Sequence, residues 1–282
     1  MHDAVPRPGL LQRSVLRIRA PFSALLQYRD LTRELVARDI LGRYRGASFG
    51  LLWSLLGPLM MLVIYTVALG EILGARWVQA SETEVPFGIV LFLGIMVHGF
   101  FAECLSRAPR LMVDNANYVK RVVFPLHVLP WTVMLSAGFH LLANLVVFAV
   151  LCALIVGTVS PWLVLAPIVL LPLALLGVAV GWLLSSLAVY IRDISQAIPV
   201  LVTALLFLSS AIVPVETLPP HFQVVFKLNP LTFFIDQVRE VALWGRPPDW
   251  LGLAWRGLAS VVVLYFAYAW FRVSSRGFAD VL

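Results

Sequence analysis

Four ionisable residues fall within apolar stretches of this chain: Glu71, His98, Glu103 and His140, with Asn144 one helical turn beyond His140. Groups at such depth serve as proton relays or as interhelical hydrogen-bond partners. A relay usually needs buried carboxylates as well. Glu71 and Glu103 sit near the ends of their stretches, where water is expected, so the pattern favours interhelical bonding over a proton path. No Gly-x-x-x-x-Gly-Lys-Ser/Thr loop, Ser/His/Asp or Cys/His arrangement, or His-Glu-x-x-His motif occurs. Nothing in the chain reads as an engine or a catalytic centre.

The elements that must carry these residues are membrane spans. Of 282 residues, 61% are hydrophobic and only 13% are charged, about half the charge of an ordinary soluble surface. A crossing helix needs about 20 mostly apolar residues. Six such stretches are read, at approximately 51–73, 86–105, 129–156, 162–190, 197–214 and 251–271. The fold class is therefore an all-α membrane protein with six transmembrane helices. With the N-terminus inside, sixteen of the 21 Lys and Arg residues fall on the cytoplasmic side, the bias that sets topology. Both termini are then cytoplasmic. The net charge of +6 is explained by headgroups and topology, so no nucleic-acid partner is expected. Cys104 and Cys152 have no disulfide or metal spacing. No cleavable signal peptide and no internal repeat are evident.

Three segments are not plain spans. Residues 1–21 read as a basic tail. Residues 22–46 read as a cytoplasmic interfacial helix with Tyr28, Leu31 and Leu35 on one side, and possible i,i+4 pairs Glu34–Arg38 and Asp39–Arg43. The rest, 47–282, is the six-span domain. Between spans two and three, 106–127 is too polar to cross; Asp114 or Asn115 caps a short helix there that Pro125 ends. Such a helix is either a handle for a cytoplasmic partner or an ordinary loop helix. Between spans five and six, the outer segment 215–250 divides at Asn229-Pro230. Leu231, Phe234, Ile235, Val238, Val241 and Ala242 then make an amphipathic helix over 230–243, with Asp236, Arg239 and Glu240 off its apolar face. This helix is expected to rest at the outer boundary or dip in and return.

Gly177, Gly181 and Ser185 form a small-residue ladder in span four, as do Gly70 and Gly74 at the end of span one, both suited to close packing within one subunit. Most of the tryptophans, Trp53, Trp77, Trp131, Trp162, Trp182, Trp250, Trp255 and Trp270 among them, sit near expected interfaces, and an aromatic belt should cover most of them. Some could instead line a path for sugars.

Four motifs, in order, resemble one family. Arg43-Tyr44-Arg45-Gly46 followed by Leu51-Leu52-Trp53-Ser54-Leu55-Leu56-Gly57-Pro58-Leu59 resembles the start of span one in ABC-2 type permeases of bacterial polysaccharide exporters. Asn115 to Pro125, Tyr190-Ile191-Arg192-Asp193-Ile194 and Leu228-Asn229-Pro230-Leu231 resemble its later loops. The resemblance runs from about residue 25 to the end and is strongest to the membrane subunit of O-antigen exporters, with teichoic acid exporters near. One departure is Ser209-Ser210-Ala211-Ile212-Val213-Pro214, where relatives often carry a Ser-Pro-aromatic pattern.

The resemblance implies a non-enzymatic, homodimeric permease in the bacterial inner membrane, working with two copies of a cytoplasmic ATPase that binds ATP and Mg. This chain would bind no cofactor and no metal. The substrate would be a glycan on polyprenyl pyrophosphate, reached past Arg38, Arg43, Tyr44, Arg45 and Trp53. ATPase coupling would use Asp114, Asn115, Asn117, Tyr118, Lys120 and Arg121, then Arg192 and Asp193. The outer gate would hold Leu218, Phe222, Asn229, Pro230, Phe233 and Phe234. An alternative class is a membrane transferase acting on lipid-linked sugars. It would need facing carboxylates, whereas Asp114, Asp193 and Asp236 are far apart in sequence and isolated.

Overall fold

Apolar runs of more than 18 residues, interrupted by proline and short polar turns, can satisfy their backbones in lipid only as helices. The computed structural model describes residues 21–23, 25–68, 85–120 and 124–282, and among these no strand occurs. Residues 1–20 of the basic tail, and Gly70, Glu71, Gly74, Trp77 and Arg121, lie outside the described residues. The main helices are α1 (Arg29–Arg43), α2 (Trp53–Tyr65), α3 (Phe87–Arg107), α4 (Leu111–Asp114), α5 (Ala116–Val119), α6 (Leu129–Leu151), α7 (Ala166–Val169), α8 (Leu171–Tyr190), α9 (Ile194–Phe207), α10 (Pro220–Leu228), α11 (Pro230–Ala242), α12 (Trp250–Ser274) and α13 (Phe278–Val281).

Among the described residues, five helical runs are long and apolar enough to cross a membrane: Gly50–Ala68, Phe87–Arg107, Leu126–Val156, Pro161–Tyr190 and Trp250–Val281. The sequence predicts another over 197–214, but α9 ends at Phe207 after 14 residues. At 1.5 Å per residue it spans about 21 Å, short of the roughly 30 Å hydrocarbon core. Beyond it, Leu208–Pro214 is irregular backbone, with Ser209, Ser210 and Ala211 buried.

α3 is the central post. Its packing partners are α2, α6, α8, α9 and α11. Its apolar sequence buries residues on every side, from Gly88 to Leu105. The glycine ladder in α8 works as the spacing predicts. A Cβ on Gly177 would come within 3.2 Å of Cys104 Sγ on α3, and one on Gly181 within 3.0 Å of Pro130 Cβ on α6. α8 also packs extensively on α12. There Trp182 meets Tyr268 at 5.1 Å between ring centroids, and Trp270 Nε1 donates to Ser186 Oγ at 3.1 Å. Trp131 and Trp182 are thus core residues rather than belt residues: each is about 2% exposed or less, and their indoles donate to Pro21 O and His127 O. Trp53, Trp162, Trp250, Trp255 and Trp270 remain exposed.

α2 touches α3 and α6 but leaves most of its apolar surface, including Met60, Met61, Val63 and Ile64, uncovered. α1 is shorter than the 22–46 expectation, because the helical path bends at Tyr28. It lies against α6, buries Thr32 and Leu35, and is held otherwise by charge.

Candidate functional site

Polar side chains gather at the two ends of the bundle. At the basic end, α1 and α3 meet through ions. Arg43 donates to both carboxylate oxygens of Glu103, Nη2 to Oε1 at 2.5 Å and Nη1 to Oε2 at 3.4 Å. His140 Nδ1 lies 3.1 Å from Glu103 Oε2 and 3.1 Å from Arg43 Nη1. Arg107 donates to Glu103 Oε1 at 3.2 Å and to Asp39 Oδ1 at 2.5 Å. Two carboxylates, two guanidiniums and an imidazole thus tie α1 to α3 and α6.

This overturns two expectations. The i,i+4 pairs Glu34–Arg38 and Asp39–Arg43 do not form; Asp39 and Arg43 turn to α3 instead. A pair on an exposed helix face is worth little, whereas a partner with less water around it binds more strongly. Glu103 is also not a water-facing end group, since its side chain is only 15% exposed. The interhelical reading of the histidines holds: His140 joins the ion cluster, and His98 Nε2 contacts Val202 O of α9 at 3.0 Å.

Of the residues expected near substrate access, Arg38, Arg43 and Tyr44 share one region. Tyr44 lies edge-on to His140. Arg45 and Trp53 are exposed, with Trp53 beside Phe49. Arg38 does something the sequence did not predict. Its Nη1 donates to Tyr118 Oη at 2.9 Å, so an expected access residue grips an expected coupling residue. Tyr118 in turn stacks on Phe124 at 4.3 Å. A cavity of about 80 Å³ between Arg38, Asp39, Arg107, Leu111 and Asn115 marks the same seam.

The coupling residues divide. Asp114 and Arg192, 78 positions apart, line one cavity of about 420 Å³ with Arg110, Val113, Ser195 and Val281 among its walls. Asn117, Lys120 and Asp193 are exposed nearby elements without contact to that cavity. Of the helix expected to start at a capping Asp114 or Asn115 and run to Pro125, the described residues hold two single turns, α4 and α5, and 121–123 lie outside them. Neither is side-chain capped. Asn115 Nδ2 instead donates backwards to Leu111 O at 2.9 Å, and α5 ends at Val119.

At the far end, α10 and α11 form a short helical pair. Asn229 caps α11 as expected, its Oδ1 accepting from Leu231 N at 3.0 Å. Its Nδ2 also donates to Leu205 O and Leu208 O, at 2.9 and 3.0 Å, which secures the end of α9. Pro230 opens α11. Leu218 and Phe222 are partly or well exposed, whereas Phe234 is buried. Phe233 carries the Arg256 guanidinium 3.5 Å above its ring. α11 is buried on much of its surface, so it enters the bundle rather than resting at its edge.

Arg239 contradicts the expectation that it lies off the apolar face: it is 2% exposed. The signal was available, because residue 239 is four after Ile235 and eight after Leu231, the spacing of one helical face. Asp236 lies 3.6 Å away, with 42% of its side chain exposed.

Among the described residues, no group of His, Cys, Asp and Glu is arranged to hold a metal ion. The profile of the ABC-2 type transporter family matches residues 30–243. The chain is 26% identical over 259 residues to an O-antigen export system permease protein RfbA of Myxococcus xanthus, covering 91% of this chain and 96% of that protein. A Klebsiella pneumoniae protein of the same description is 23% identical, over 77% and 81% of the two chains. A polysialic acid transport protein KpsM of Escherichia coli is 22% identical, over 84% and 91%.

Proposed function

This chain belongs to the ABC-2 type transporter family, and from that premise we propose that it is the membrane-spanning permease subunit of an ATP-driven exporter of lipid-linked polysaccharide. Relatives described as O-antigen and polysialic acid transport proteins, aligned over most of their lengths, support the polysaccharide class. The protein sits in the bacterial inner membrane with both termini in the cytoplasm, so its basic end is the cytoplasmic one. Two copies face one another around a conduit. α9, too short to cross alone, completes a sixth crossing together with the re-entrant α10–α11 pair.

The observation that carries the reading is the meeting of Asp114 and Arg192 at one cavity, in a chain without a nucleotide-binding loop. Two separate loops converging at the basic end make one handle for an external engine. That engine is a pair of cytoplasmic ATPase subunits, which hold ATP and Mg. α1 lies on the inner membrane surface, where Arg43 and Arg45 face the pyrophosphate of a polyprenyl-linked glycan. The Arg38–Tyr118 and Asp39–Arg107 contacts link this helix to the handle, so a push on 111–119 also moves the substrate-access helix. The test is purification from native membranes in mild detergent. An ATPase is expected at one copy per permease chain. Its absence, together with transferase activity on a lipid-linked sugar, would favour the enzyme alternative.

A further inference from the structure

The buried guanidinium of Arg239 spends its donors on main-chain carbonyls. Nε donates to Val90 O at 3.2 Å, Nη1 to Ser210 O at 2.6 Å and Nη2 to Ala211 O at 3.0 Å. Val90 belongs to the central post α3; Ser210 and Ala211 belong to the irregular turn after α9. Once α9 stops at Phe207, the carbonyls beyond it have no donor four residues ahead. Buried carbonyls without partners are costly, and irregular backbone at membrane depth persists only where its polar groups are satisfied within the protein. Arg239 supplies that satisfaction from a third element, α11. Space for the fork exists because residue 94 has no side chain. A Cβ there would lie 2.6 Å from Arg239 Nη2, 2.7 Å from Ala211 O and 2.8 Å from Ala211 Cα.

We infer that Arg239 is a positioning residue for the transport step: one fork fixes α3, the end of α9 and α11 relative to each other, and so sets the geometry of the far-end opening through which the glycan leaves. The inference rests on the exporter reading above. Both the fork and the charge matter. A lysine ammonium is a point donor on a flexible stem and cannot hold carbonyls of two elements in a fixed plane. Gly94→Ala perturbs the same joint from the opposite side without touching the charge.

The permease is reconstituted with its partner ATPase in proteoliposomes, and wild type, Arg239→Lys and Gly94→Ala are compared. Three readouts are taken: membrane-inserted complex, ATP hydrolysis, and the rate of glycan translocation against glycan concentration. The expected result is complex formation and hydrolysis within about twofold of wild type, with maximal translocation down at least about tenfold and the half-saturating glycan concentration unchanged. Wild-type translocation in Arg239→Lys would overturn the inference. So would parallel loss of complex, hydrolysis and translocation in both variants, which marks mere packing. Failure of wild type itself to translocate with the ATPase present is a different outcome, and it would remove the exporter reading.

Discussion

Replacing Glu103 by alanine should loosen α1 from the bundle. α1 buries only Thr32 and Leu35, so its ion contacts decide how firmly it sits. The variant removes both oxygens that hold Arg43 and one of the two carboxylates that hold Arg107. Breaking a fully buried pair costs about 3–5 kcal/mol, and an exposed pair is worth about 0–1 kcal/mol. With Glu103 at 15% exposure and Arg43 at 41%, the loss falls between these limits, about 2 kcal/mol. At tenfold per 1.4 kcal/mol, that raises local opening about 30-fold. Hydrogen exchange of the purified protein in nanodiscs reads this directly: amides of residues 38–43 should lose about 30-fold in protection. Those in the core of α8, remote from the cluster, should not change. Glu103→Gln keeps a hydrogen-bonding shape without the charge and should fall in between. Unchanged protection over 38–43 in Glu103→Ala would refute the assignment of this cluster as the tether of α1.

Two further outcomes are expected. Asn229→Ala removes a helix cap worth about 1 kcal/mol and takes the Asn229 donor from the partly buried Leu205 and Leu208 carbonyls, for a total of about 2 kcal/mol by denaturation. Asn229→Asp keeps the cap acceptor but faces Leu205 O and Leu208 O with like charge, and should be no better. Arg192→Ala, at an exposed position, should leave membrane insertion intact while transport uncouples from hydrolysis, and normal glycan export in that variant would remove Arg192 from the handle.

Elements set by local pattern were readable in advance. Long apolar runs gave five of the helices, Asn229-Pro230 marked the start of α11, and the Gly177–Gly181 spacing foretold a close approach in α8. What pattern could not supply was partner choice between distant segments. Asp39 and Arg43 have plausible neighbours on their own helix, and only the fold brings Glu103 and Arg107, 60 and 68 positions from their partners, into better range. The early end of α9 was hidden for a similar reason. Residues 197–214 are apolar enough to continue a helix, but Asn229 and Arg239 arrive from later in the chain to take the freed carbonyls. Arg239 escapes the pattern because its charge points to water while its position on the helix face points to the core. The Asp114–Arg192 cavity required two loops to meet, which no single loop announces.

This membrane subunit should move cargo only when a separate protein hydrolyses nucleotide beneath it. Purified permease in liposomes loaded with a polyprenyl-pyrophosphate glycan measures this, with and without the partner ATPase, and with ATP and Mg added outside. Glycan should become accessible on the opposite leaflet only when ATPase and ATP are both present. Translocation or chemical modification of the glycan by the permease alone would contradict the account.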